Sequence, residues 1–278
     1  MNANKSKRIR FTYGDQFQPE KFSIIQIIKL CESCQPERNK LEEEILSRYF
    51  IDHSRSSSDS ISANDNKRKL AMNCFLSLRA YKIIQDINDS GKQYQLTDIS
   101  KEILKNSENE ITVYRLFARH ILINLGGMSL LKAIEAIKTR GENPNVESVA
   151  YELQEIGYII PPNCTYHSTM SKWLSLANVI NKYDIDWDTV YDLLGTNREY
   201  IDDLYTLTSY QKYFLLSMIQ LGINQLTPWN TIVKYARSRY QIRFPTKAFL
   251  LSGYFSQNSS ILIIIVVLGF LIKLKLFV

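Results

Sequence analysis

Residues 111–160 read ITVYRLFARHILINLGGMSLLKAIEAIKTRGENPNVESVAYELQEIGYII, and apolar residues recur along this stretch at helical spacing. Two breaks divide it, at Gly126-Gly127 and at Arg140-Gly141, and glycine commonly follows the last turn of a helix. Asn145 stands where the side chain that caps the next helix is expected. The stretch therefore predicts three consecutive helices in a mainly α-helical protein. The third helix is expected to direct five residues inward: Val146, Val149, Ala150, Leu153 and Ile156.

The residues before this stretch predict a helix, a short β-hairpin and a second helix. Helical spacing covers residues 70–87, and Asp89-Ser90-Gly91 is typical of a turn. Residues 93–96 have the pattern of a short strand, and Thr97 is a candidate N-cap for the helix that follows. Helix, hairpin and capped helix is the layout of a winged helix.

Two further helices are predicted nearer the N-terminus, over residues 20–34 and 37–51, and Gln35-Pro36 separates them. The stretch 53–69 is rich in serine and has no apolar periodicity, which predicts a flexible loop.

Downstream of the quoted stretch, Ser168 is a candidate N-cap for a helix that packs Trp173 inward. The acidic run Asp184 to Asp188 is typical of a helix start, where carboxylates complement the helix dipole. We therefore predict a mainly α fold with small β wings, built of tandem winged-helix-like modules of the helix-turn-helix type. Its parts are a basic N-terminal arm (1–17), a first module (18–106), a second module (107–183), a partial third module (184–251) and an apolar tail (252–278).

The charge of the chain is divided unevenly. The 278 residues carry a net charge of +6, yet no Asp or Glu occurs after Asp203, so residues 1–203 are at about −2. Such a division favours a polyanionic partner, either nucleic acid or an anionic membrane, over a protein with a merely solvated basic surface.

A predicted helix over residues 229–240 carries the best candidate site. On a helical wheel, Ile232, Val233, Ala236 and Tyr240 gather on one side and a cationic, hydrogen-bonding face lies opposite. Lysine and arginine contact phosphates, and arginine also reads guanine edges in the major groove. The predicted DNA contacts of this face and its flank are Lys234, Arg237, Ser238, Gln241, Arg243 and Lys247. Phosphate contacts are also predicted for the arm residues Lys5, Lys7, Arg8 and Arg10, and weaker backbone contacts for Ser168, Thr169 and Lys172.

No catalytic or metal site is predicted in this chain. Asp65-Asn66-Lys67 has the D-x-K spacing of some nucleases, but no apolar strand precedes it to hold a metal. Cys31 and Cys34 form a single pair without the further ligands that zinc requires. His120 falls in line with apolar residues, which favours a packed structural histidine over a ligand.

The apolar tail leaves three interpretations open: a short membrane anchor, a buried final element, or a truncated or frame-shifted end. Its uninterrupted apolar run, residues 261–272, is shorter than the roughly 20 residues that span a bilayer. The first ten residues lack the apolar core of a secretory signal, and four cysteines in a chain of this length do not make a disulfide framework. We therefore expect a cytoplasmic protein.

Several segments resemble the tandem winged-helix recognition region of type IIS-like restriction endonucleases. They are YQLTDISKEIL (94–104), YRLFARHILINLGG (114–127) with LKAIEAIKTRGENPNVESVAYELQEIGYII (131–160), HSTMSKWLSLANVI (167–180), LTSYQKYFLLSMIQLG (207–222) and NTIVKYARSRYQIRF (230–244), the last two similar to a third module. The resemblance covers about residues 18–250, with Ser100 where a glycine is common and without the final helix and wing of the third module.

The resemblance implies DNA recognition within a restriction–modification system. Family members pair this region with a separate nuclease domain that this chain lacks, so magnesium is expected only with a nuclease partner. Double-stranded DNA is thus the expected partner, together with a nuclease subunit if one exists. Two alternatives stay open: a membrane-attached helical adaptor anchored by the tail, and a restriction endonuclease whose cleavage site the sequence does not reveal.

Overall fold

A computed structural model describes residues 9–14, 16–51, 61–161, 165–195 and 229–240, together with Ser217 and Leu221. The chain divides into two compact units, residues 1–201 and 202–278. The described part is mainly helical, as predicted, with three two-stranded sheets in the first unit.

Nine α-helices are described in the first unit and one in the second. They are α1 (Ile24–Cys34), α2 (Arg38–Ile45), α3 (Ile61–Ala80), α4 (Asp98–Lys105), α5 (Glu110–Asn124), α6 (Gly127–Thr139), α7 (Val146–Glu155), α8 (Thr165–Ser175), α9 (Trp187–Leu194) and α10 (Trp229–Tyr240). A π-helical turn, Leu46–Phe50, extends α2. The strands are β1 (Ile9–Arg10), β2 (Ile84–Asp86), β3 (Tyr94–Leu96), β4 (Tyr158–Ile159), β5 (Ile180–Asn181) and β6 (Asp184–Ile185).

The core of the first unit is an aromatic cluster that draws on distant parts of the sequence. The ring of Phe17 lies 4.8 Å from that of Trp173 and 5.3 Å from that of Tyr81, measured between centroids. Phe117 completes the cluster at 5.2 Å from Trp173. The indole Nε1–H of Trp173 also donates a hydrogen bond of 2.9 Å to the carbonyl of Phe17. The N-terminal residues, the end of α3, α5 and α8 therefore share one core.

The arm predicted for residues 1–17 extends too far. Phe11 and Phe17 are buried, and β1 pairs in parallel with β4, with Ile9 opposite Tyr158. The hydroxyl of Thr12 donates to the carbonyl of Leu125 at 2.7 Å. Phe11 and Phe17 thus belong to the core, because they contact Tyr158 and Trp173, which lie more than 100 residues later in the chain.

The flexible loop predicted for residues 53–69 is wrong in its second half. Helix α3 begins at Ile61, and residues 64–69 are polar and mostly exposed. A helical extension that faces solvent has no apolar stripe, so apolar residues do not recur there at helical spacing. At its other end α3 stops at Ala80, and Lys82 has a φ of 58°. Ile84, which was assigned to this helix, lies instead in β2.

The predicted hairpin is confirmed. Strands β2 and β3 are antiparallel, with Ile84 opposite Leu96 and Asp86 opposite Tyr94. Thr97 occupies the N-cap position of α4, but its hydroxyl donates to the carbonyls of Lys82 and Ile83 rather than capping the helix. These bonds fasten the start of α4 to the residues that lead into β2.

The three helices predicted from residues 111–160 are confirmed as α5, α6 and α7. Gly126 has a φ of 83°, which suits glycine at the end of α5. The side chain of Asn145 accepts hydrogen bonds from the amides of Glu147 and Ser148, and Ser148 completes a capping box. Val149, Ala150 and Leu153 are buried as predicted, whereas Val146 and Ile156 are 41% and 55% exposed because they lie at the two ends of α7.

Tyr94→Phe is expected to lower the free energy of unfolding by about 1–2 kcal/mol. The Tyr94 hydroxyl donates a buried hydrogen bond of 2.8 Å to the carbonyl of Cys31, in the last turn of α1. Tyr81→Phe is the matched control, because the Tyr81 hydroxyl is buried and has no hydrogen-bond partner among the described residues. Urea unfolding of the two variants should separate them, and equal losses would contradict this account.

Candidate nucleic-acid interface

Helix α10 has one buried side and one polar side. Ile232 and Ala236, four residues apart, are buried, and Val233 is half-buried. Among residues 230–239 the exposed side chains are all polar: Asn230, Thr231, Lys234, Arg237, Ser238 and Arg239. The burial of Ile232 and Ala236 and the exposure of Lys234, Arg237 and Ser238 agree with the helical wheel, whereas the side chain of Tyr240 and Gln241 lie outside the described part of the chain.

The polar side of α10 is cationic. Lys234 and Arg237 supply two positive charges on this side, and the helix contains no Asp or Glu. Arg239 is exposed at the end of the helix, but it lies seven residues after Ile232 and therefore on the side of the buried residues. Lys234 and Arg237 are three residues apart and so lie close together on one face. The hydroxyl of Ser238 donates to the carbonyl of Tyr235 at 3.2 Å, so its proton is already engaged within the helix. The arrangement suits an anionic partner with several charges rather than a single small anion.

Part of the predicted interface lies outside the described residues. This applies to Gln241, Arg243 and Lys247 beyond α10, and to Lys5, Lys7 and Arg8 in the arm. Arg10 is described and is exposed on β1. For all of these residues DNA contact stays a prediction.

The structure alters the prediction made for α8. This helix begins at Thr165, so Ser168 lies inside it and is not its N-cap. Thr169 is 2% exposed because it shares the buried side of α8 with Trp173, and we therefore remove it from the candidate DNA contacts. Lys172 is exposed but forms an ion pair of 2.7 Å with Glu20, a partner that the sequence did not suggest. Contact of Ser168 and Lys172 with DNA stays a prediction.

Sequence reasoning missed three exposed residues of α10. Asn230 and Thr231 occupy its first turn, and Arg239 its last. The helical spacing places the first two on the same face as Lys234, because Asn230 lies four residues before it and Thr231 three. The charge pattern did not indicate them, because neither side chain is charged.

The acidic run that opens α9 serves as a helix start, as predicted. Asp186 is the N-cap and accepts hydrogen bonds from the amide of Thr189 at 3.1 Å and from its hydroxyl at 2.8 Å. These bonds lower the pKa of Asp186. Asp184 forms an ion pair with Lys138. Both carboxylates thus have structural partners.

The two described histidines are packed in the protein. The Nε2 atom of His120 lies 2.9 Å from the carbonyl of Tyr81, and its Nδ1 lies 3.1 Å from the side-chain nitrogen of Asn124. Burial lowers the pKa of His120 to about 4, so the ring is neutral and its role is structural, as predicted. His167 lies within α8 and is buried. Burial lowers its pKa to about 4 as well.

Across the described ranges, no group of three or more His, Cys, Asp or Glu side chains is arranged to hold a metal ion. Asp65 and Lys67 lie on the exposed part of α3 rather than beside a strand. Cys31, Cys34 and Cys74 are buried free thiols, and burial raises the pKa of Cys31 well above its ordinary value. Burial also raises the pKa of Cys74, so the thiols of Cys31 and Cys74 are protonated and enclosed.

Two adjoining depressions lie on the surface around α6, with volumes of about 430 and 330 Å³. Glu135 and Thr139 line both of them. Their charged side chains are paired within the protein, as Lys132–Glu135, Lys138–Asp184 and Arg140–Glu152 show. Because these charges neutralise each other, the depressions do not offer the convergent polar groups that fix a small ligand.

No single helix in the described part of the chain is both long and apolar enough to cross a bilayer. Helices α5 and α6, which meet at 78°, have sufficient length and composition only when taken together.

The exposed side of α10 is thus the surface of the described protein that best fits a charged partner. Comparisons of the chain with models of protein families, with curated proteins and with solved structures give no match.

Proposed function

We propose that the chain binds double-stranded DNA through the exposed side of α10, as the sequence-recognition part of a restriction–modification system. The observation that carries this proposal is the division of α10 into a buried apolar side and a cationic side without an acidic residue. The sequence contains no Asp or Glu after Asp203, so the excess of positive charge extends beyond α10. Such a stripe is the electrostatic footprint of a nucleic-acid-binding helix.

The proposal includes winged-helix modules, with the hairpin β2–β3 as the wing of the first. The resemblance of residues 18–250 to the recognition region of type IIS-like restriction endonucleases supports this assignment. The sequence of α3, hairpin and α4 supports it too. Cleavage would then belong to a separate nuclease subunit with its own magnesium, in the cytoplasm.

An anionic membrane is a weaker partner for this helix than DNA. Helices that lie on a membrane insert large apolar side chains between the lipids while their charges face the headgroups. The apolar residues Ile232 and Ala236 of α10 are buried in the protein, and the exposed residues among positions 230–239 are all polar. Arginines beside hydrogen-bonding side chains suit phosphates and base edges.

Replacing Lys234 and Arg237 together by alanine is expected to weaken DNA binding by roughly 10- to 100-fold at about 0.1 M salt. Each phosphate contact releases a counterion, so about five contacts give a log–log salt slope near −4 to −5, and the double variant should lose about two units of it. Gel shifts of a duplex of random sequence between 50 and about 300 mM salt measure both quantities.

The matched control is Arg68→Ala with Lys69→Ala, which removes two exposed charges from α3 and leaves α10 intact. We expect this variant to bind with nearly the wild-type salt slope. Equal losses in the two double variants would show that net charge alone matters, and salt-independent binding by the wild-type chain would contradict a phosphate interface. Stronger binding to anionic vesicles than to duplex would favour the membrane alternative.

A further inference from the structure

The exposed side of α10 changes in chemistry along its length. Its first two turns present an amide, a hydroxyl and an ammonium group, from Asn230, Thr231 and Lys234. Its last turn presents the guanidinium group of Arg237. Asn230, Thr231 and Lys234 make no hydrogen bond or ion pair in the part of the chain that the structure describes. By contrast, the Ser238 hydroxyl is bonded to the backbone of the helix.

We infer that Asn230, Thr231 and Lys234 determine which DNA sequence this helix prefers, and that Arg237 holds a phosphate without distinguishing bases. The inference rests on the proposed function, since it assigns separate tasks to parts of the same surface.

The first part of the argument is chemical. An asparagine amide both donates and accepts, which matches the N6 and N7 atoms of adenine in the major groove. A threonine offers a hydroxyl for a base edge and a methyl group for the methyl of thymine, and a lysine ammonium donates to guanine O6 and N7. The three side chains together therefore present distinct partners for different bases.

The second part is geometric. Asn230 and Lys234 are four residues apart, so about 6 Å of helix separates them along one face. Base pairs repeat about every 3.4 Å along a strand, so these two side chains reach neighbouring base pairs in one pose. Thr231 lies three residues before Lys234 and completes a compact triangle on that face. Helix-turn-helix proteins read bases with the N-terminal part of the helix that enters the groove.

The test is selection from a pool of duplexes with a random 20-base-pair core, followed by sequencing of the bound fraction. The wild-type chain should enrich a motif. Asn230→Ala and Thr231→Ala should each relax the preference at one or two positions, by roughly 5- to 150-fold for a bidentate contact, while the salt slope stays unchanged. Arg237→Ala should keep the motif, lower affinity for all sequences and reduce the salt slope by about one unit.

The outcomes separate this inference from the proposed function. If the wild-type chain binds the pool with a steep salt dependence but enriches no motif, or if Asn230→Ala and Thr231→Ala enrich the wild-type motif unaltered, the inference fails and DNA binding stands. If the wild-type chain does not bind the pool, both fail. Circular dichroism of each variant establishes that the fold is intact, as the exposure of both residues leads us to expect.

Discussion

Trp173→Ala is expected to lower the free energy of unfolding of the first unit by about 3–5 kcal/mol. Trp173 is 1% exposed and packs between Phe17 and Phe117, with ring centroids 4.8 and 5.2 Å away. Its removal leaves a cavity in a core that several elements share, and it leaves the carbonyl of Phe17 without the indole donor. The shift of the urea midpoint, followed by far-ultraviolet circular dichroism, measures the loss.

Trp187→Ala is the matched control for this prediction. Trp187 is half-buried on α9, where it stacks on Tyr191 at 5.9 Å and lies under the ammonium group of Lys132. We expect this variant to lose only about 1 kcal/mol, because its site is open to solvent. Trp173→Phe should fall between the two, since it keeps part of the packing and loses the hydrogen bond. Similar midpoints for Trp173→Ala and Trp187→Ala would be incompatible with a core centred on Trp173.

Acidification from pH 7 to pH 4.5 is expected to destabilise the first unit through His120 and His167. Burial lowers the pKa of both rings to about 4, compared with about 6.5 in an unfolded chain. Between these values the unfolded chain binds more protons than the folded chain, so stability is fully present above pH 6.5 and falls as the pH falls. The full effect is on the order of 3 kcal/mol for each histidine, reached only near pH 4. Urea midpoints at intervals from pH 7 to 4.5 measure it.

The variant His167→Leu tests the origin of this pH dependence. The ring nitrogens of His167 have no hydrogen-bond partner among the described residues. The nearby backbone of Val146 opposes part of the lowering of the pKa by burial. An apolar side chain of similar size should therefore be tolerated and should remove about half of the pH-dependent loss. Stopping at pH 4.5 keeps the lowered carboxylates Asp184 and Asp186 ionised. A midpoint that stays constant from pH 7 to 5 would refute the assignment.

The elements that could be predicted from the sequence are those that short-range chemistry determines. The ends of α5 and α7 follow from Gly126 and Asn145, which act on their own neighbours. The arm and the loop were misassigned because their structure depends on distant contacts or on solvent. Phe17 is buried by Trp173, 156 residues later in the chain, and no local sequence pattern predicts that contact.

The candidate site also has features that the sequence predicts and features that it does not. The cationic side of α10 could be predicted because the positions of Lys234 and Arg237 relative to Ile232 and Ala236 follow from the helical repeat alone. The burial of Thr169 could not be predicted, because it depends on which side of α8 packs against the core. The ion pair of Lys172 could not be predicted either, because its partner Glu20 is far away in the sequence.

The parallel pairing of β1 with β4 has a consequence for synthesis of the chain on the ribosome. Phe11 and Phe17 leave the ribosome about 150 residues before Tyr158 and Trp173, the residues that cover them. At about 5–20 residues per second, the apolar side chains of Phe11 and Phe17 wait for on the order of 10 seconds or more before their partners exist. During that interval they are available to chaperones, and the first unit closes only when α8 has left the ribosomal tunnel.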